Sequence, residues 1–341
     1  MRNNYDLDDN DDDYRRWPLL EELLTAFEQS IKPVYERADA KALVQQRWHG
    51  RLVWWAAIGG TLAVLCAIVE LASAIPSIRL WIGGLEVVAA AIAIVVVGLG
   101  MWSAFHPYWL QHRFVAEQCR FIKFHLLLNP SVWYGKKPVE LKKIIDHYVH
   151  AIKSPDKQLI HKWVTWRRTV CDRFQNLPVG LGEDLQKQIV EYVIEKRLDY
   201  QRGYFHKQAE KRHRWEKRTR NVSPVCFFLS IVFAFAHFVF EWLAGEDHHG
   251  LLHTLGSVSV VLAAALPTLA AGVRTIRSAY EFGRNQLRFE AMSHFLGVID
   301  GEVKRQTAPA TAIEMLREAE QALESEHRAW LRLMIEAEWF G

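Results

Sequence analysis

Four long runs without alternation of polar and apolar positions set the frame of the chain. Val53–Ala72 carries one charged residue, Glu70, and Leu80–Trp102 carries one, Glu86. Val222–Ala244 holds only Glu241, and Leu251–Val273 holds no Asp, Glu, Lys or Arg. An α-helix needs about 20 apolar residues to cross roughly 30 Å of hydrocarbon, and each run reaches that length. The connectors are short: Ser73–Arg79, interrupted by Pro76, and Gly245–Gly250. The pattern predicts two transmembrane hairpins, the first crossing at about 52–73 and 80–104 and the second at about 222–244 and 251–275.

Outside these runs the pattern changes to helical periodicity. Leu19, Leu20, Leu23, Leu24, Phe27 and Ile31 recur at the spacing of one helix face, and Pro33 should kink or divide that helix. A second helix, Tyr35 to about His49, leads to the first crossing, so that residues 17–51 read as amphipathic helices. Trp109–Leu128, Val139–Ile152 and Lys157–Leu177 are three further helical patterns. Glu183–Arg220 is long, highly charged and free of proline, and it runs straight into the third crossing as a lever would. The fourth crossing should continue through Arg274, Arg277 and Arg284 to about Val298, and Ala310–Phe340 closes the chain as an amphipathic helix. Residues 105–221 and 276–341 are thus helical and polar. Residues 1–16 are acidic and without periodicity, and a disordered tail is expected there. Nothing reads as a strand ladder. The expected fold class is an all-α membrane protein, four crossings in two hairpins with a cytoplasmic helical domain.

Charge adds orientation. Arg47, Arg51, Arg113, Lys211, Arg212, Arg214, Lys217, Arg218, Arg220, Arg274 and Arg277 all flank one side of the crossings, whereas the two opposite connectors hold Arg79 and no Lys. Positive-inside asymmetry then places both termini and the middle segment in the cytoplasm of a multi-pass protein of the inner (plasma) membrane. Several of the 14 Trp, including Trp48, Trp81, Trp102 and Trp242, fall near the ends of the runs, at headgroup level. A net charge of +3 is too small to argue for nucleic acid. Cys66, Cys119, Cys171 and Cys226 are isolated, and free thiols are expected rather than disulfides or a zinc site. The acidic Asp6–Asp13 lacks the basic start and apolar core of a signal peptide.

The two halves look alike. Tyr35-Glu36-Arg37-Ala38 precedes the first hairpin and Tyr200-Gln201-Arg202-Gly203 the second; Arg47-Trp48 answers Arg214-Trp215. After each hairpin comes an aromatic, basic helix, Tyr108-Trp109 with Arg113 and Glu117 against Tyr280 with Arg284 and Glu290. Glu70 and Glu241 lie at matching depths. With Arg113-Phe114-Val115-Ala116-Glu117 and Ala279-Tyr280-Glu281-Phe282-Gly283-Arg284 after the paired crossings, the chain resembles the SLATT superfamily. These are two-transmembrane effector domains associated with SMODS nucleotidyltransferases and SLOG nucleotide sensors in bacteria. The resemblance spans about two thirds of the chain, twice over. It implies an oligomeric pore-forming effector of antiviral defence that permeabilises the membrane when a nucleotide second messenger or a signal-sensing partner protein acts on it.

Four ionisable residues inside the runs are the pore-lining candidates: Glu70, Glu86, His237 and Glu241. Carboxylates there line a water path or, being near helix ends, reach the interface or pair with Arg79. Glu86, deeper between Leu85 and Val87, points to the bundle interior or a water path. Pro267 in mid-crossing removes a backbone hydrogen bond and is the hinge candidate, though most such prolines only bend a helix. Arg212, Arg214, Lys217, Arg218 and Arg220 suit anionic lipid or an anionic signal. The loop Glu246-Asp247-His248-His249 with His253 has the residues of a metal or proton sensor but matches no zinc spacing, so no metal and no cofactor is expected. There is no P-loop, GxSxG, HExxH or GxGxxG, and Val179-Gly180-Leu181-Gly182 is followed at once by Glu183 and Asp184, which repel phosphate. No enzyme is expected. A signal-independent channel or transporter, and a membrane scaffold for a soluble partner, remain the alternatives.

Overall fold

The structure, a computed structural model, describes residues 5–72, 76–103, 105–152, 173–245 and 250–336. Among them every regular element is a helix. In chain order these are α1 (Asp11–Arg16), a 3-10 turn (Pro18–Leu20), α2 (Glu21–Ser30), α3 (Lys32–Ala72), α4 (Pro76–Trp102), α5 (Phe105–Leu127), α6 (Pro130–Trp133) and α7 (Pro138–Ile152). Then follow α8 (Glu183–Val193), a π-helical turn (Ile194–Asp199), α9 (Tyr200–Arg220), α10 (Val222–Ala244), α11 (Leu251–Tyr280), α12 (Phe282–Val303) and α13 (Pro309–Glu336). The chain divides into two units, one of Met1–Gln46, Phe105–Gln208 and Arg288–Glu338, the other of Arg47–Ala104, Ala209–Leu287 and Trp339–Gly341.

The first unit is built round α5. From Phe114 to Phe124 each of its residues is buried, polar and apolar alike. A helix covered on all sides needs neighbours on all sides. The stripe Leu20, Leu23, Leu24, Phe27 and Ile31 joins this core and packs against α7, which contributes Leu141, Ile145 and Ile152. α13 lies against both α5 and α8 and contributes Ile313, Leu316 and Leu331. Trp17 is fully buried, edge-on to Tyr192 with ring centroids 4.9 Å apart.

The second unit holds the apolar helices. Four helical stretches, Lys32–Leu71, Pro76–Trp102, Glu183–Ala244 and Leu251–Val303, are long and apolar enough to cross a membrane. Their large apolar side chains face outward: α10 buries no residue, and Trp81, Trp102 and Trp242 are 81%, 86% and 75% exposed. So much contiguous apolar surface is incompatible with water on all sides and marks a multi-pass membrane protein.

Several expectations change. Residues 5–16 are ordered, not a disordered tail: Asn10 and Asp13 close a capping box on α1, and Asp6, Asp9 and Asp13 are buried. Composition misled because the neutralising partners lie far off in sequence, as described below. Pro33 sits in the first turn of α3, where proline is tolerated, so the expected division falls at Ile31. Pro76 is the first residue of α4 rather than a breaker, which puts Arg79 on the helix and not in a connector. α10 ends at Gly245, whose φ of 59° only glycine adopts without strain. The helix after the fourth crossing is not continuous: Glu281 takes a left-handed conformation (φ 42°, ψ 48°) between α11 and α12. The helix expected over 157–177 lies outside the described residues up to 172, and Arg173–Leu177 has no regular structure.

Candidate functional site

In each helix pair a carboxylate lies across a glycine of the following helix. The Glu70 Oε2 stands 2.9 Å from where a Cβ on Gly83 would be, and the Glu241 Oε1 2.7 Å from the same point on Gly256. A side chain at either glycine would oblige the carboxylate end to move aside. Glu70 and Glu241 were matched from sequence; their glycines, Gly83 and Gly256, were not. Glu86 shares an open depression with Glu70, Arg79, Gly83 and Gly84. Three residues after Gly256, where Glu86 follows Gly83, the second pair has the buried Ser259. All four pore-lining candidates are half-buried.

Glu241 has a basic neighbour. The His253 Nδ1 lies 3.1 Å from Glu241 Oε1, and the His237 Nδ1 lies 2.9 Å from the carbonyl oxygen of Gly256. The His237 Nδ1 bonds this carbonyl only when it carries a proton. The structure thus brings Glu241, His237 and His253 round Gly256, and Glu70 with Glu86 round Gly83. The acidic and histidine residues 246–249 lie outside the described residues, and among the latter no group of three or more His, Cys, Asp or Glu side chains is placed to hold a metal ion.

A polar seam joins α10 to α11. The Ser223 hydroxyl donates to the Ala270 carbonyl (3.3 Å), the Ser230 hydroxyl to that of Ala263 (2.6 Å), and His237 meets that of Gly256. Donors and acceptors both step by one heptad, the repeat that keeps one helix face on its partner. The middle bond has a further cause. Pro267 has no N–H, so the carbonyl four residues earlier, on Ala263, lacks its partner within α11, and Ser230 supplies one. α11 accordingly runs through the hinge candidate without a break. The signal in sequence was polar residues seven apart in an apolar run.

Of the basic candidates, Arg214, Lys217, Arg218 and Arg220 are exposed, and Arg212 lies over the Phe282 ring at 5.7 Å. Glu216, in the same stretch, holds Arg277 through two hydrogen bonds and rests on Gly283. The exposed four form a cationic surface suited to an anionic one.

The first unit contains a site that sequence reasoning missed. Asp6 pairs with Arg120 (3.0 Å) and Arg197 (3.5 Å), Asp9 with Lys123 (2.8 Å), and Asp13 with Lys196 (2.6 Å). Lys123 also donates to the carbonyl of Asp6, Lys196 to that of Asp8, and the Tyr192 hydroxyl to Asp9. Arg197 forks onto Glu320 with two bonds of 2.9 Å, and Glu117 bridges Arg113 and Arg120. Burial alone would raise the Glu117 carboxyl, but Arg113 and Arg120 hold it far below the usual carboxylate range. Burial raises Glu320 despite Arg197. Burial likewise holds His327 neutral, down to about 4. Each of these charges is tolerable inside the protein only because its partners are there.

Comparison of the chain with protein-family models, with curated proteins and with solved structures finds no match.

Proposed function

We propose that this chain is an oligomeric membrane effector. Its four apolar helices cross the plasma membrane with both termini in the cytoplasm, several copies assemble a pore, and a cytoplasmic signal opens it. The likeness to SLATT domains supplies the biological setting, bacterial defence, and the kind of signal, a nucleotide second messenger or a partner that senses one. The observation that carries the reading is the repeated placement of a carboxylate on a glycine, Glu70 on Gly83 and Glu241 on Gly256, with Glu86 beside the first. Ionisable residues within membrane helices face a bundle interior or a water path, and rings of them attract counter-ions. Repetition through several copies would turn these carboxylates into such a ring, favouring cations. The outward apolar faces of α4 and α10 suit both lipid and neighbouring copies, and Arg214, Lys217, Arg218 and Arg220 suit the anionic leaflet.

The test is ion flux in liposomes of anionic lipid, with and without extract from phage-challenged cells. The expected result is cation-selective flux that rises with the extract and falls about tenfold in the Glu70→Gln/Glu86→Gln/Glu241→Gln variant at equal reconstitution. Full flux without extract identifies a constitutive channel instead. Absence of flux under all conditions, with the triple variant still functional in cells, identifies a scaffold.

A further inference from the structure

Four cations clustered inside the first unit are paired, in this structure, with carboxylates of the chain's own residues 5–16. Arg120 and Lys123 come from α5, Lys196 and Arg197 from the π-helical turn. The Lys123 and Lys196 side chains are 1% and 0% exposed, and the carboxylates that face them come from residues 5–16. Arg120 and Arg197 have Glu117 and Glu320 in addition, but Asp6 lies between them with its side chain fully buried. Aromatic rings complete the walls: Tyr5 under Lys196 at 4.2 Å, Tyr35 under Arg120 at 4.8 Å and Phe124 under Arg197 at 4.9 Å.

The hold on residues 5–16 is mainly electrostatic. Of this stretch only Leu7 is a fully buried apolar side chain, while three carboxylates are inside. Apolar burial therefore resists its departure little. What resists is the loss of the ion pairs that Lys123 and Lys196 make with it, which leaves both lysines without an acid opposite them. A second anion removes that resistance. Phosphate groups suit the vacated partners better than carboxylates do, since they offer more oxygens to the ammonium groups and accept the two-pronged guanidinium. The π-turn matters as well: such turns are rare and recur at functional sites, and this one places Lys196 and Arg197 side by side in the cluster.

We propose that Arg120, Lys123, Lys196 and Arg197 form a site for a small, free, phosphate-bearing polyanion, and that Asp6, Asp9 and Asp13 are an internal plug which this ligand displaces. The proposal deepens the reading above, resting on it only in taking the ligand for the signal. Binding is measured apart from flux. A protein that binds but never conducts refutes the pore, and one that conducts under a signal yet never binds refutes the plug.

The experiment is hydrogen exchange by mass spectrometry on the full chain in detergent, with inorganic tripolyphosphate as probe. The amides of residues 5–16 should exchange at least tenfold faster with millimolar tripolyphosphate and be unchanged by sodium chloride of equal ionic strength. Phosphatidylglycerol vesicles, which present phosphate only as a lipid headgroup, should leave them unchanged. Asp9→Asn/Asp13→Asn should bind tripolyphosphate about tenfold more tightly than the wild type, because its plug is weaker, and Asp9→Asn/Lys123→Gln should lose that gain. Exchange in the wild type that tripolyphosphate does not alter overturns the proposal, and so does release by sodium chloride or by vesicles alone.

Discussion

At the scale of single residues, the interior is organised by polar groups that answer one another. Ser230 is the clearest case, because its hydroxyl serves a carbonyl that Pro267 leaves without an N–H. Ser230→Ala should destabilise the protein by about 1 kcal/mol, the order found for hydrogen bonds between membrane helices. Pro267→Ala restores the N–H, so the same serine substitution made on that background should cost close to nothing. Thermal midpoints of the four proteins in detergent form the cycle; an undiminished loss in the Pro267→Ala background would falsify the assignment.

His327 leads to a prediction about pH. Burial places its folded value at about 4, below the ordinary 6.5. The unfolded chain therefore takes up the proton first as pH falls. Stability from this residue is complete above 6.5, declines between 6.5 and 4 and has gone below 4, by an amount on the order of 3 kcal/mol. His327→Phe keeps a ring beside Phe121 and Trp330. Its melting temperature should fall less steeply than the wild type's over that window, and parallel curves would count against a buried neutral imidazole.

At the scale of elements, the break at Glu281 is where local geometry opposes residue type. A left-handed conformation costs an L-residue roughly 1 kcal/mol, and glycine avoids that. Glu281→Gly should raise stability by about 0.5–1 kcal/mol. The partner it loses, Arg284 at 3.5 Å, is too exposed to offset this. Glu281→Val should lower it, and equal midpoints for the two variants would show that the turn is not held left-handed.

What sequence revealed, and what it concealed, also sorts by element. Apolar runs are a local property, so α4, α10 and the apolar parts of α3 and α11 were legible, as was the correspondence of Glu70 with Glu241. Residues 5–16 were not legible. Asp9 meets Lys123 across 114 positions and Asp13 meets Lys196 across 183, and no window of sequence contains both. Trp109–Leu128 reads as an amphipathic helix, whereas from Phe114 to Phe124 it is covered on every side, cations included. Gly83 and Gly256 passed unnoticed because a glycine in an apolar helix carries no periodic signal; only the carboxylate lying over each one gives it meaning. The end of α11 lacked any cue, since neither glycine nor proline stands at 281.

For the whole molecule, the two units obey different rules of solvation. One hides charges inside an apolar shell and must match each with its opposite. The apolar helices of the other expose their apolar side chains and place Ser223, Ser230 and His237 on the line where two of them meet. Net charge and mean hydropathy average over both and describe neither. The internal repeat is read best from the carboxylate and the glycine it covers, a pair of features shared by two stretches that otherwise have little identity in detail.

The seam between α10 and α11 has a mechanical consequence. Ser223, Ser230 and His237 engage three carbonyls in one common register, so sliding one helix along the other by a single residue disengages all three together. The next arrangement with the same matching lies a full heptad away, too far for a thermal step. The two helices behave as a splined shaft: free to tilt or turn as one body, locked against axial slip. Tilting and turning of the pair as a unit therefore cost less than any slide of one helix along the other.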